Sequence, residues 1–258
     1  MKRNSIKVLD NGSKEYSEID LYKKLNFEFL RYTNLTHAAG KRNVPSLVCN
    51  TKIFPDYIAL SNQPSLFHKT ELTAIGFWEY DIDFDGFDGL FNAIYYNRKD
   101  RLEFYKKRFS NVKIFFTPDY SQFGDVSDIE SDYRLFKARV VGIWLAIELH
   151  AVVIPFVTVP TIDSMPWALN GLEDCSVVAF STKGYVTVPE ERSTLKAIVR
   201  CTVDTLDLKT IVVYDVCGSN DAVNDIFAYP IEQGIEIVVP MNSLKERNIE
   251  RRRFRNAQ

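Results

Sequence analysis

The sequence predicts an α/β protein whose mostly parallel sheet is built from repeated strand–helix units. Short apolar runs rich in β-branched and aromatic residues recur along the chain, and amphipathic segments with helical spacing lie between several of them. The runs are continuous and not alternating, as expected of strands buried on both faces of a parallel sheet. The sequence leaves open whether the sheet closes into a complete or an incomplete (β/α) barrel or stays open.

The chain divides into three predicted parts. Residues 1–72 are expected to pack on the main domain as a helix and extended segments, and residues 244–258 form a basic tail. Residues 73–243 form the predicted α/β core. Strands are predicted at 73–81, 112–119, 152–159, 176–182, 210–215 and 235–240. Helices are predicted at 98–109, 129–149 and 194–206, the last with Ser193 as its N-cap.

Composition excludes some classes of protein. The formal charge is −2 and the pI is about 6.0, so no global field directs the chain toward DNA or an acidic membrane. Residues 140–159 are the most apolar stretch, but Glu148 and Pro155 interrupt it, so no membrane segment is predicted. The amino terminus shows no apolar leader and the four cysteines are far apart, which favours reduced thiols and a cytoplasmic location. Walker loops, dinucleotide-binding glycine patterns and paired metal-binding histidines are absent from the sequence.

The polar residues at the strand ends are the candidate site. In parallel α/β folds, ligands bind at the carboxyl ends of the strands, where loops and helix amino termini converge. The candidate catalytic residues are Asp81, Asp119 and Ser121, and candidate substrate-binding residues are Ser181, Thr182 and Asp215. The alternative interpretation is that Asp, Ser and Thr stand at these ends because they satisfy loop backbone groups.

An acidic motif, EYDIDFDGFDG, spans residues 79–89. Counted from Asp81 as a calcium-binding EF-hand loop, the eighth position is Asp88 and the twelfth is Asn92, which argues against that motif. Asp81, Asp83 and Asp119 could instead hold Mg²⁺ or Mn²⁺ through carboxylate oxygens. The remaining aspartates of the motif are interpreted as a solvated turn.

The predicted basic tail offers a second candidate contact surface. Its arginines could bind phosphate groups of a nucleic acid in a salt-dependent way, although terminal charge runs are more often solvated helix ends. The candidate nucleic-acid residues are Arg251, Arg252, Arg253 and Arg255.

Six segments between about residues 73 and 240 resemble a known family. In order they are GFWEYDIDF, FFTPDYSQFGD, KARVVGIWL, VVIPFVTV, ALNGLEDCSVVAFSTKG and TIVVYD. Their order resembles an uncharacterised family of domains of unknown function, number forty-four seventeen of that series, met in bacteria, archaea, phages and mobile elements. The resemblance implies characteristic positions at Asp81, Asp119, Ser121, Arg139, Gly142, Pro155, Gly171, Ser181, Thr182 and Gly184. It adds Arg139 to the candidate substrate-binding residues. The chain departs from the family pattern at Val159, Asn170 and Asp215, where the family usually has Trp, Asp and Gly.

Two functions are consistent with these residues. The first is a phage- or mobile-element-type enzyme whose strand-end carboxylates assist attack on a phosphoester or glycosidic bond, with or without a divalent metal. The second is a non-catalytic factor in replication, host takeover or defence that binds nucleic acid or a phage or host protein. Carboxylates that converge on one site favour the first, and scattered carboxylates with a basic face favour the second.

Overall fold

The computed structural model describes residues 7–8, 14–15 and 18–256, with side chains from residue 21 to residue 255. Parts of the predicted segment 1–72 and the last two residues of the chain lie outside this description. The strands are β1 Lys7–Val8, β2 Lys14–Glu15, β3 Ala38–Ala39, β4 Val44–Pro45, β5 Tyr57–Leu60, β6 Thr73–Gly76, β7 Ile114–Phe116, β8 Val152–Ile154, β9 Val177–Ser181, β10 Thr210–Tyr214, β11 Glu236–Val238 and β12 Met241–Asn242.

Helices follow most of the strands and form the outer layer. They are α1 Glu18–Leu25, α2 Leu30–Thr33, α3 Asp81–Phe84, α4 Leu90–Tyr95, α5 Lys99–Arg108, α6 Asp128–Glu148, α7 Met165–Ala168, α8 Pro189–Thr205, α9 Asp221–Ile226, α10 Ala228–Glu232 and α11 Ser243–Asn256. Helix α8 begins before the predicted N-cap Ser193, because Pro189 suits the first helical position and Glu190 and Glu191 favour the first turn. None of the helices in the described part of the chain has the length and apolar character that a bilayer crossing requires.

The sheet is parallel throughout its main part, which confirms the predicted fold class. Strands β12, β5, β6, β7 and β8 are hydrogen-bonded neighbours in that order, and β9, β10 and β11 form a second parallel group. A bridge between Phe156 and Ala179 joins β8 to β9. At the other end, β11 pairs with β10 and β12 pairs with β5, with only Val239 and Pro240 between β11 and β12.

The segment 236–242 therefore pairs with both parallel groups, and the order of neighbouring strands forms a ring. Pro240 has no backbone N–H, so it interrupts one ladder at the point where the last strand changes partner from β10 to β5. Strand β5 is one of the strands of this ring, because Ile58 pairs with Ala74 of β6 on one side and with Asn242 of β12 on the other. Strand β5 lies in the predicted segment 1–72 and pairs with β6 of the predicted core.

Strand burial explains the continuous apolar runs. Ile114 and Phe116 of β7 pack in a cluster with residues such as Val212 of β10, while Phe115 between them packs with Trp144 of α6. Successive side chains thus face opposite sides of the strand, and both sides are buried. Ser127 is the N-cap of helix α6, and its hydroxyl accepts a hydrogen bond from the backbone N–H of Ile129.

Candidate active site

Four side chains come together after neighbouring parallel strands. Because β6 to β9 run in the same direction, the residues that follow them lie at one edge of the sheet. The strand-end cluster consists of Glu79 after β6, Asp119 after β7, Thr158 after β8 and Lys183 after β9. Of these, only Asp119 is a predicted site residue, although Glu79, Asp119 and Thr158 lie near the ends of predicted strands and Lys183 directly follows one.

Asp119 is the most perturbed acid of the cluster. Burial and, to a smaller extent, the neighbouring charge of Asp81 raise the pKa of its carboxyl group, which is about 7. The ammonium group of Lys183 and a hydrogen bond with Thr158 act in the opposite direction. Near neutral pH, Asp119 therefore exists in both protonation states, which is the property a general acid–base residue requires.

Glu79 and Lys183 complete the charged part of the cluster. The Glu79 carboxylate accepts hydrogen bonds from the Ser61 hydroxyl and from the backbone N–H of Asn62, at 3.2 Å for the latter. Burial raises the pKa of Glu79, while the charge of Lys183 lowers it. The Lys183 ammonium donates to the carbonyl oxygen of Trp78 at 2.6 Å. One ammonium group thus acts electrostatically on both carboxyl groups, Glu79 and Asp119.

Two stacked aromatic side chains lie at the ends of strands of this sheet, with Trp78 just after β6 and Tyr214 as the last residue of β10. Trp78 and Tyr214 are buried, with ring centroids 4.5 Å apart and an interplanar angle of 5°. Among the described residues, neither Trp78 Nε1 nor the Tyr214 hydroxyl has a hydrogen-bond partner. Buried polar atoms of this kind are normally satisfied, so these two are candidates to meet a ligand or an ordered water.

Asp81 and Ser121 bind each other. The Asp81 carboxylate accepts hydrogen bonds from the Ser121 N–H at 3.1 Å and the Ser121 hydroxyl at 3.0 Å. Arg134 of α6 donates to the same carboxylate at 2.5 Å and to the Ser121 carbonyl oxygen at 2.8 Å. These contacts tie the chain after β6 to the loop after β7, and the charge of Asp81 raises the pKa of Asp119.

Each of the other aspartates in the acidic motif has a different neighbour. Asp83 is exposed, and Asn62 Nδ2 approaches it at 3.5 Å. Asp85 forms an ion pair with Lys137, and Asp88 pairs with Arg98 at 3.0 Å. Helix α3 begins at Asp81, so the alternate spacing of the aspartates does not place their carboxylates on one side of an extended strand.

The predicted three-aspartate metal site is therefore not assembled by Asp81, Asp83 and Asp119. Among the described residues, no group of three or more His, Cys, Asp or Glu side chains is arranged to hold a metal ion. The physical reason is that the oxygens of Asp81 are occupied by Ser121 and Arg134.

Asp215 and Lys245 form a buried ion pair that the sequence analysis did not foresee. Lys245 Nζ lies 2.8 Å from Asp215 Oδ2, and the two side chains are 6% and 0% exposed. Asp215 Oδ1 accepts hydrogen bonds from the Thr182 hydroxyl at 2.8 Å and from the Cys217 N–H at 3.1 Å. Ser181 is also buried, and its hydroxyl accepts from the Lys183 N–H at 3.0 Å. The predicted substrate-binding groups Ser181, Thr182 and Asp215 thus make internal contacts, and Asp215 holds Lys245 in the first turn of α11.

Arg139 lies away from the strand-end cluster. It is buried on α6, and its Nη2 donates to the carbonyl oxygen of Ala168 at 3.1 Å and approaches that of Asn170 at 3.5 Å. Burial lowers the pKa of its guanidinium group to about 10. A cation at these carbonyls complements the carboxyl end of α7, and a contact of Arg139 with substrate stays a prediction.

The arginines of the predicted tail lie on helix α11. All four are exposed, but they do not share one environment. Arg251, Arg252 and Arg255 line a cavity of about 350 Å³ together with Gly218 and Asn248. Arg253 is not among its lining residues.

The fold and the strand-end cluster define an α/β protein with a ring of parallel strands and a set of ionisable groups at the strand ends. The model of the family described as Domain of unknown function (DUF4417) matches residues 38–230, and the chain belongs to that family. No curated protein and no solved structure matches the chain.

Proposed function

We propose that the protein is a hydrolase in which Asp119 acts as the general acid–base and Glu79 as the second carboxylate, with the ammonium group of Lys183 near both. The observation that carries this proposal is the convergence of these three groups after neighbouring strands. Burial, which brings the pKa of Asp119 near neutral pH, supports its role. The unpartnered polar atoms of Trp78 and Tyr214 support a ligand at the same end of the ring.

The charge of the surrounding loops favours a glycosidic bond over a phosphoester. Residues 79–97 contain five Asp or Glu residues and no Lys or Arg, and residues 117–133 contain the same numbers. Arginine and lysine side chains from α5 and α6 neutralise some of these acids, but Asp83 and Asp125 are exposed and have no ion pair among the described residues. A negative field of this kind repels phosphate groups and tolerates a neutral sugar.

The proposed reaction uses two carboxyl groups, as most glycosidases do. Protonated Asp119 gives its proton to the leaving oxygen while the glycosidic carbon–oxygen bond breaks. Ionised Glu79 accepts a proton from the water whose oxygen forms the new bond to the same carbon. The Ser61 hydroxyl and the Asn62 N–H donate to Glu79 and favour its ionised form, and the charge of Lys183 adds to this effect.

The test is the Asp119→Asn variant, assayed with a panel of chromogenic aryl glycosides and with an aryl phosphodiester. We expect a fall in kcat of about 10²- to 10⁴-fold on the glycoside that the wild-type protein hydrolyses. The matched control is Asp125→Asn, an exposed acid on the same loop, which should keep full activity. Equal activity of the two variants, or turnover of the phosphodiester alone, would contradict the proposal.

A second candidate function is the binding of a polypeptide partner at the same end of the ring. Large apolar side chains are exposed after β6 and β7, with Tyr80 before α3 at 81%, Ile82 on α3 at 88% and Ile129 in the first turn of α6 at 79%. Exposed apolar groups of this size among carboxylates suit a basic amphipathic segment of a host or phage protein.

A labelled peptide of Lys and Leu residues tests this second function, with a Glu and Leu peptide for comparison. Ile82→Ser should weaken binding of the basic peptide, whereas Val48→Ser, a 65% exposed control in another part of the chain, should not. Equal binding of both peptides would contradict a charge-selective surface. A cytoplasmic location remains part of the proposal, and the four free thiols support it.

A further inference from the structure

One face of helix α11 consists of polar residues. Asn248, Arg251, Arg252 and Arg255 follow the i, i+3, i+4, i+7 spacing, which places them on one side of a helix. In most helices this stripe is apolar and packs on the core. Here it faces the loop after β10 and surrounds the cavity at Gly218.

The positive charge of this face is largely uncompensated. Arg252 Nη1 lies 3.6 Å from Asp221 Oδ2, and no other carboxylate among the described residues lies within ion-pair distance of Arg251, Arg252 or Arg255. Arg251 and Arg255 are four residues apart, where two like charges on a helix destabilise it. An anion between the guanidinium groups would relieve this repulsion.

The cavity has a fixed wall. A Cβ atom on Gly218 would lie 2.7 Å from the carbonyl oxygen of Asn248, so the backbone of the loop lies directly against the helix. Asn248 Nδ2 donates to the carbonyl oxygen of Val216 at 2.6 Å. The buried pair of Asp215 and Lys245 anchors both segments, so the site is formed before any ligand arrives.

We propose that Arg251, Arg252 and Arg255 form a binding site for a phosphate group, separate from the strand-end cluster. Guanidinium groups bind phosphate oxygens through pairs of parallel hydrogen bonds, and three of them converge here. A cavity of about 350 Å³ admits one phosphate group with part of the molecule that carries it. The phosphate comes either from a nucleic-acid backbone or from a small phosphorylated molecule.

The experiment compares single substitutions on one helix. Binding of a labelled single-stranded oligonucleotide is measured by fluorescence anisotropy at several salt concentrations, and inorganic pyrophosphate is measured by calorimetry. Arg252→Gln and Arg255→Gln should each weaken binding by about 10-fold and lower the salt dependence by about one unit of log–log slope. Arg253→Gln removes the same charge from an exposed neighbour outside the cavity and should change affinity by less than about 2-fold.

The source of the phosphate follows from the two probes. Pyrophosphate that binds alone and displaces the oligonucleotide indicates a small phosphorylated ligand, and an oligonucleotide that binds without competition from pyrophosphate indicates a nucleic acid. The proposal is overturned if neither probe binds at low salt, or if Arg253→Gln weakens binding as much as Arg252→Gln does. Thermal unfolding of each variant checks the fold, which these exposed positions should leave intact.

Discussion

The buried ion pair between Lys245 and Asp215 leads to a strong prediction about stability. Lys245→Met removes the ammonium group that lies 2.8 Å from Asp215 Oδ2. The Asp215 carboxylate, which is 0% exposed, then keeps the hydrogen bonds that Thr182 and Cys217 donate to Oδ1 but has no cation beside it. Breaking a buried pair by removing one partner costs about 3–5 kcal/mol. At about 2–4 °C per kcal/mol, this corresponds to a fall in Tm of roughly 6–20 °C.

Thermal and urea unfolding followed by circular dichroism measure this loss. The exposed Arg247 on the same helix supplies the control, because Arg247→Met should change stability by less than about 0.5 kcal/mol. The double variant Lys245→Met with Asp215→Asn should recover a large part of the loss, since it leaves no unpaired buried charge. A Lys245→Met protein as stable as the Arg247→Met protein would refute the reasoning.

Two further predictions concern the strand-end cluster and the helix contact. The pKa of Asp119 is raised from 3.8 to about 7, so its ionisation opposes folding, and wild-type stability should fall as pH rises from about 4 to 7. Asp119→Asn should match the wild type near pH 4 and exceed it at pH 8, as measured by urea unfolding, and a constant difference across this range would contradict the assigned pKa. Gly218→Ala should cost about 1–3 kcal/mol because its Cβ would meet backbone at 2.7 Å. Gly124→Ala should cost less, because the nearest atom at 3.2 Å belongs to the Thr161 side chain, and equal losses would show that the helix adapts.

The position of the candidate site could be predicted from the sequence only in part. Asp119 was found because it follows a continuous apolar run, and the ends of parallel strands meet at one edge of a sheet. Glu79 and Lys183 follow similar runs, but nothing local shows that one ammonium group acts on both carboxyl groups. Asp81 was also found, yet its role depends on Arg134, which is 53 residues away along the chain.

The sequence by itself determined the class of fold, because hydrophobic periodicity is a local property and buried parallel strands leave continuous apolar runs. Tertiary structure alone decided the ring of strands, where Pro240 allows the last strand to change its partner from β10 to β5. It also decided that Lys245, predicted to be part of an exposed tail, is buried against Asp215. These outcomes depend on contacts between residues far apart in the chain, and the free energy of such contacts is set by burial and geometry that no local pattern records.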